Sequence, residues 1–162
     1  MESNQCRVEN FASFTGIAST SDAAVQGAHP NRALGVRQTS ATGYDPGAAY
    51  ILLLENTTGK SNFQLSFLLQ SLDATPGGRT TAWSVDYGIG DTPTSFTTVT
   101  TSPSTLTTNL GTFGSTPVTI NFGNSLNNLS QKVWIRIVTL AATTGSGNRP
   151  STAIDDLQIS WN

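Results

Sequence analysis

Short segments in which apolar and polar residues alternate run through almost the entire chain, separated by turns rich in Gly, Pro and Asn. Alternation with a period of two is typical of β-strands whose two faces differ in burial. Apolar residues nowhere recur at the spacing i, i+3, i+4, i+7 over the length of a helix. About nine or ten such strands, with no repeat of fixed period, predict an all-β, jelly-roll β-sandwich of two antiparallel sheets.

The composition limits the functions open to such a fold. The 162 residues suit one domain, and we treat 1–162 as a single β-sandwich module excised from a larger secreted protein. Charged residues make up only 11% of the chain, against about 25% in typical proteins, and no basic cluster occurs. We therefore expect no nucleic-acid binding. No membrane insertion is expected either, because no apolar run approaches the roughly 18 residues of a spanning helix. A surface of Thr, Ser, Asn, Gln and Gly favours a secreted or cell-surface location.

Residues suited to catalysis are scarce. His29 is the only histidine and Cys6 the only cysteine, so a zinc site built from several His or Cys is excluded. A catalytic triad would need His29 beside a serine and a carboxylate, and its neighbours in sequence are small and aperiodic. Sandwich glucanases commonly carry two acids, two residues apart, on one face of a strand. No pair of Asp or Glu residues in this chain has that spacing. The sequence therefore predicts a protein that is not an enzyme.

A candidate ligand-binding surface comes from the strongest predicted strand, residues 132–140. Its inward face carries Val133, Ile135 and Ile137, so Trp134 and Arg136 lie on the opposite face. If the strand that contains Arg37 belongs to the same sheet, Trp134, Arg136 and Arg37 form one polar, aromatic surface. Tyr44, on a predicted loop, is a fourth candidate. Such a surface suits a sugar, although Trp134 could instead be partly buried and the arginines could pair with acids.

Two adjacent carboxylates, Asp155 and Asp156, interrupt the apolar run of the last predicted strand. Successive side chains of a strand point to opposite faces, so at least one of the two is expected near the edge of the core. One interpretation is that these aspartates accept hydrogen bonds from backbone N–H groups of a neighbouring turn. The other is an oxygen-rich calcium site that ties the last strand to an early one.

Three segments carry a resemblance to known modules: residues 44–52 (Tyr-Asp-Pro-Gly-Ala-Ala-Tyr-Ile-Leu), 83–88 (Trp-Ser-Val-Asp-Tyr-Gly) and 153–157 (Ala-Ile-Asp-Asp-Leu). The first and the third of these segments resemble MAM-type and carbohydrate-binding-module-type jelly rolls. The second resembles modules found at the ends of large secreted bacterial proteins. The resemblance implies a structural calcium ion that joins the first strand to the last, with ligands from Asp155 or Asp156, Glu9 and Asp45.

The function expected at this point is that of a non-catalytic carbohydrate-binding module of a secreted or cell-surface bacterial protein. Its expected partners are a polysaccharide or glycan and other domains of a parent protein. The alternative is a MAM-like protein–protein adhesion module without a sugar site. A third interpretation is a structural spacer within a multidomain chain.

Overall fold

The computed structural model describes residues 6–13, 23–38, 48–72, 78–108, 113–145 and 151–162. The described ranges contain one short helix, α1 (Ala23–Gly27). The small, polar and aperiodic sequence of residues 12–31 instead predicts a long loop with a brief strand near Ala24 and Val25, so this prediction is wrong. The strands are β1 (Cys6–Ala12), β2 (Arg32–Gln38), β3 (Ala49–Leu54), β4 (Gln64–Ser71), β5 (Arg79–Ile89), β6 (Thr97–Thr98), β7 (Thr101–Ser102), β8 (Leu106–Thr108), β9 (Gly114–Asn121), β10 (Val133–Val138), β11 (Thr144–Gly145) and β12 (Thr152–Ser160).

Two antiparallel sheets form a sandwich, which confirms the predicted fold class. The first sheet has the strand order β1-β2-β12-β4-β9-β7. In the second sheet, β5 lies beside β10 and β10 beside β3, while β6, β8 and β11 also pair with β5. The chain crosses repeatedly from one sheet to the other, so strands distant in sequence, such as β2 and β12, become neighbours.

The core lies between the sheets and is filled by the inward-facing residues of both. Val133, Ile135 and Ile137 are fully buried, as the alternation along β10 predicts. Each buried side chain of this size stabilises the fold by about 1.5–3 kcal/mol relative to an exposed position. The first sheet contributes residues from β4 and β9 to the same cluster: Leu65, Phe67, Leu69, Val118 and Ile120.

Hydrogen bonds also join the two sheets. Trp83 Nε1 on β5 donates to Thr108 Oγ1 on β8 at 3.0 Å. Thr108 Oγ1 in turn lies 2.9 Å from Thr152 Oγ1 on β12. The Tyr50 hydroxyl on β3 donates to the Thr152 carbonyl oxygen at 3.0 Å. Because a buried polar group is costly without a partner, these bonds fix how the start of β12 sits against the second sheet.

The outer face of β3 differs from what its sequence suggests. The nearly continuous apolar run of residues 49–55 predicts a strand that is covered on both faces. Tyr50 is buried on the inner face, but Ile51 and Leu53 point outward and are 56% and 41% exposed. In the described part of the chain β3 pairs with β10 alone, so it forms an edge of the second sheet.

Candidate functional site

A β-bulge in the last strand carries the two adjacent aspartates. Asp155 lies opposite Leu68 of β4, but the next registered pair is Gln158 with Ser66, so β12 holds one residue more than its partner. Asp156 adopts a left-handed conformation with φ of 49°, which Asp tolerates better than most residues. Asp155 Oδ1 accepts a hydrogen bond from the Asp156 N–H at 2.9 Å. This bond lies within β12 itself, whereas the first interpretation of the pair was that the two aspartates accept bonds from a neighbouring turn.

A cleft opens beside this bulge. β12 pairs with β2 only from Thr152 to Ile154, and Ile154 opposite Leu34 is the last pair. The first two residues of β2, Arg32 and Ala33, pair with β1 but not with β12. The edge strand β3 lies across the gap from the second sheet, and the space between the three strands is about 310 Å³. The cleft is lined by Arg32, Leu34, Tyr50, Ile51, Leu52, Ile154, Asp155, Asp156 and Leu157.

The cleft has apolar walls and a charged rim. Tyr50 and Ile154 are buried, whereas Leu34 and Leu157 expose much of their side chains. Asp155 is half-buried and Asp156 is exposed. Exposed apolar side chains that converge on a concave surface are typical of ligand-binding sites, in which a few polar groups orient the ligand.

Arg32, the cationic residue of the lining, is engaged at the side of the cleft near α1. Its Nη1 donates a hydrogen bond to the carbonyl oxygen of Gln26. The Gln26 side chain accepts a hydrogen bond from the Ala12 N–H at 2.7 Å, which fastens the same helix to β1. The helix, β1 and the start of β2 are therefore joined through Gln26.

The residues predicted to form a sugar-binding surface make internal contacts. Trp134 Nε1 donates to the Gly90 carbonyl oxygen at 3.0 Å, which holds the indole at the end of β5. Arg136 makes two hydrogen bonds to Asp86, with Nε 2.8 Å from Oδ1 and Nη2 2.7 Å from Oδ2. The Phe96 ring lies 3.4 Å from the Arg136 guanidinium carbon. The alternative in which an arginine pairs with an acid therefore describes Arg136.

Arg37, a third member of the predicted surface, lies on a strand of the other sheet. Arg37 lies on β2 in the first sheet, whereas Trp134 and Arg136 lie on β10 in the second. The condition that the strand of Arg37 belongs to the same sheet as the strand of Trp134 and Arg136 is therefore not met. The Arg37 side chain and Tyr44 lie outside the described residues.

The predicted metal ligands are only partly described. Asp155 and Asp156 lie on the bulge, Glu9 belongs to β1 with its side chain outside the described residues, and Asp45 is also outside them. β2 separates β1 from β12 in the sheet. Calcium takes six to eight oxygen ligands, and the described ranges hold no group of three or more His, Cys, Asp or Glu suited to a metal. The calcium site stays a prediction.

Thermal unfolding tests the calcium prediction. If the ion bridges strands, its removal by EDTA should lower the midpoint of unfolding, because a ligand that binds only the folded state stabilises that state. Excess calcium should restore the midpoint, and magnesium at the same concentration serves as the control. An identical midpoint with EDTA and with calcium would eliminate the ion from the fold.

No family model matches this chain, and no curated protein matches it. Solved structures do match, and two of them are a Stig cyclase, Fisc, from Fischerella sp. TAU in complex with (3Z)-3-(1-methyl-2-pyrrolidinylidene)-3H-indole, and a cyclase from Fischerella sp. TAU in complex with 4-(1H-indol-3-yl)butan-2-one. The identities are 14% and 13%, and the TM-scores are 0.48 and 0.47. Each match covers 97% of this chain and 74% of the other.

These findings correct the expected function. Both of the structures named above are cyclases with small-molecule ligands, and neither is a carbohydrate-binding or MAM-like module. In this chain Trp134 and Arg136 are held by Gly90 and Asp86, so the surface predicted to bind sugar is not assembled. The prediction of a non-catalytic carbohydrate-binding module is therefore wrong, and so is its alternative of a MAM-like adhesion module. Among the described residues, no helix has the length and apolar character needed to span a membrane.

Proposed function

We propose that this chain binds a small organic molecule in the cleft between β2, β3 and β12. The observation that carries the proposal is the separation of β12 from β2 after Ile154, which leaves a concave, mostly apolar space bounded by a bulge. Its volume of about 310 Å³ falls at the lower end of the range for small-molecule pockets. Bulges are common beside binding sites because they redirect side chains that regular pairing would hold in the sheet.

The apolar walls supply the affinity in this proposal. Leu34 and Leu157 are exposed in the free protein, and a ligand that covers them removes their surface from water. Each buried methylene group contributes about 0.8 kcal/mol. Tyr50 and Ile154 form a rigid base, because Tyr50 stacks on Trp83 with 5.7 Å between ring centroids and bonds to the Thr152 carbonyl. A preorganised wall lowers the entropic cost of binding.

Three expectations from the sequence stay predictions. They are that the chain is not an enzyme, that it is secreted or displayed on a cell surface, and that it accompanies other domains. The proposal concerns binding alone. It depends on the apolar walls of the cleft, and it assigns no reaction to the carboxylates of Asp155 and Asp156.

A neutral fluorescent probe tests whether the cleft binds apolar molecules. N-phenyl-1-naphthylamine should bind saturably, and Leu157→Ser should weaken binding about tenfold, since tenfold corresponds to about 1.4 kcal/mol, or nearly two methylene groups. Ile89→Ser is the matched control, because Ile89 is 37% exposed against 36% for Leu157 and lies outside the cleft. Absence of saturable binding, or equal weakening by both variants, would contradict the proposal.

A further inference from the structure

We infer that the ligand of this cleft is an amphipathic cation, an apolar ring system that carries a protonated amine directed at Asp155 and Asp156. The inference rests on the proposed binding function and assigns the chemical class of the ligand. It depends on the charges that line the cleft: two adjacent carboxylates lie there, and the described residues supply no cation that pairs with them.

The carboxylates have no cationic partner among the residues that the structure describes. Neither Asp155 nor Asp156 takes part in an ion pair there. The one hydrogen bond that either carboxylate makes within the described ranges is the bond that Asp155 Oδ1 accepts from the Asp156 N–H. Other acids of the chain are neutralised: Asp86 by Arg136, and Asp91 by Lys132 at 3.2 Å. The two aspartates at the cleft thus contrast with acids that the fold itself pairs.

Arg32 does not change this balance. It is the cationic residue of the cleft lining, and its guanidinium donates to the Gln26 carbonyl at the helix side. The lining as a whole holds two acids and one base, so it keeps a formal charge of −1. An anionic ligand would approach two carboxylates over apolar walls, where charge is weakly screened. A cation is attracted by the same arrangement.

The position of the two acids also fits a ligand with one charged end. Asp155 and Asp156 are consecutive, and the bulge places both at the rim of the cleft although successive strand residues normally face opposite sides. The apolar residues Leu34, Leu157 and Ile154 lie in the remaining lining. An ammonium group offers three donors to the carboxylate oxygens, while a ring system of one or two rings covers the apolar part.

A pair of ligands that differ only in charge tests the inference: 2-naphthylmethylamine and the neutral 2-naphthalenemethanol, titrated calorimetrically in buffer that contains EDTA. The amine should bind at least about tenfold more tightly than the alcohol, a difference of about 1.4 kcal/mol in binding free energy. Added NaCl should weaken the amine alone, since salt screens its attraction to half-exposed carboxylates.

Conservative variants locate the effect. Asp155→Asn keeps the acceptor for the Asp156 N–H, and Asp156→Asn keeps a residue that tolerates the left-handed conformation, so both should fold with the bulge intact. Each should weaken amine binding about fivefold to tenfold, because loss of a charge-assisted hydrogen bond lowers affinity by about tenfold. Neither variant should change the binding of the alcohol. Asp91→Asn, which neutralises an acid outside the cleft lining, is the control.

The outcomes separate the inference from the function on which it rests. Equal binding of amine and alcohol, with both weakened by Leu157→Ser, would overturn the amine and retain the cleft. If Asp91→Asn reduced the preference for the amine as much as Asp155→Asn does, the amine would be attracted by the net charge of the whole protein. That result would overturn the assignment to Asp155 and Asp156. Absence of binding by both compounds and by the neutral probe would overturn the cleft itself.

Discussion

Replacing Arg136 with methionine is expected to lower the free energy of unfolding by about 3–5 kcal/mol, the cost typical of removing one partner from a buried ion pair. Asp86 is 2% exposed, and both of its carboxylate oxygens accept hydrogen bonds from Arg136. Methionine keeps an apolar side chain next to Phe96 but leaves the Asp86 carboxylate buried without a cation. Urea denaturation, followed by circular dichroism, measures the change.

Lys132→Met is the matched control for this prediction. Lys132 is also a cation on the outer side of the second sheet, but its partners Asp91 and Glu55 are 86% and 71% exposed. Exposed ion pairs contribute about 0–1 kcal/mol, so this variant should be nearly as stable as the parent. A double variant, Asp86→Asn with Arg136→Met, should recover part of the loss because no buried charge remains. Equal destabilisation by Arg136→Met and Lys132→Met would refute the account.

Alternation along single strands was enough to predict the layers of this fold. It placed Val133, Ile135 and Ile137 inward and Trp134 and Arg136 on the opposite face, as observed. The alternation of residues 80–90 likewise predicts Trp83 and Val85 on the core face, and both are buried. These predictions hold because the side chains of one strand alternate whatever strand lies beside it.

The sites could not be predicted in the same way, because they depend on which strands are neighbours. The polar face of its own strand predicts a solvated acid at Asp86, since nothing in that strand shows that Arg136 of β10 lies directly opposite. Arg37 was grouped with Trp134, but the two belong to different sheets. The cleft exists only because β2 and β12 pair over three residues and then separate. The usable signal was local: two consecutive acids in an apolar strand, which regular pairing does not accommodate.

Replacing Trp83 with alanine is expected to cost about 3–5 kcal/mol, the usual range for removing a large aromatic side chain from a core. Trp83 is buried, stacks on Tyr50, and donates to Thr108, whose hydroxyl continues to Thr152 on the first sheet. The substitution therefore leaves a cavity between the sheets and removes the donor from a buried chain of hydroxyl groups. Urea denaturation again provides the measurement.

Trp161→Ala is the matched control, because it removes the same side chain from a position that is 44% exposed. Trp161 packs on Phe63 with 5.8 Å between ring centroids, and the Lys60 ammonium lies 4.6 Å from its ring. An exposed contact of this kind contributes about 0.5–1 kcal/mol, so the control should lose a small fraction of what Trp83→Ala loses. Trp83→Phe should fall between the two, since it keeps a ring beside Tyr50 but not the donor. If Trp83→Ala were no more costly than Trp161→Ala, Trp83 could not be a link between the two sheets.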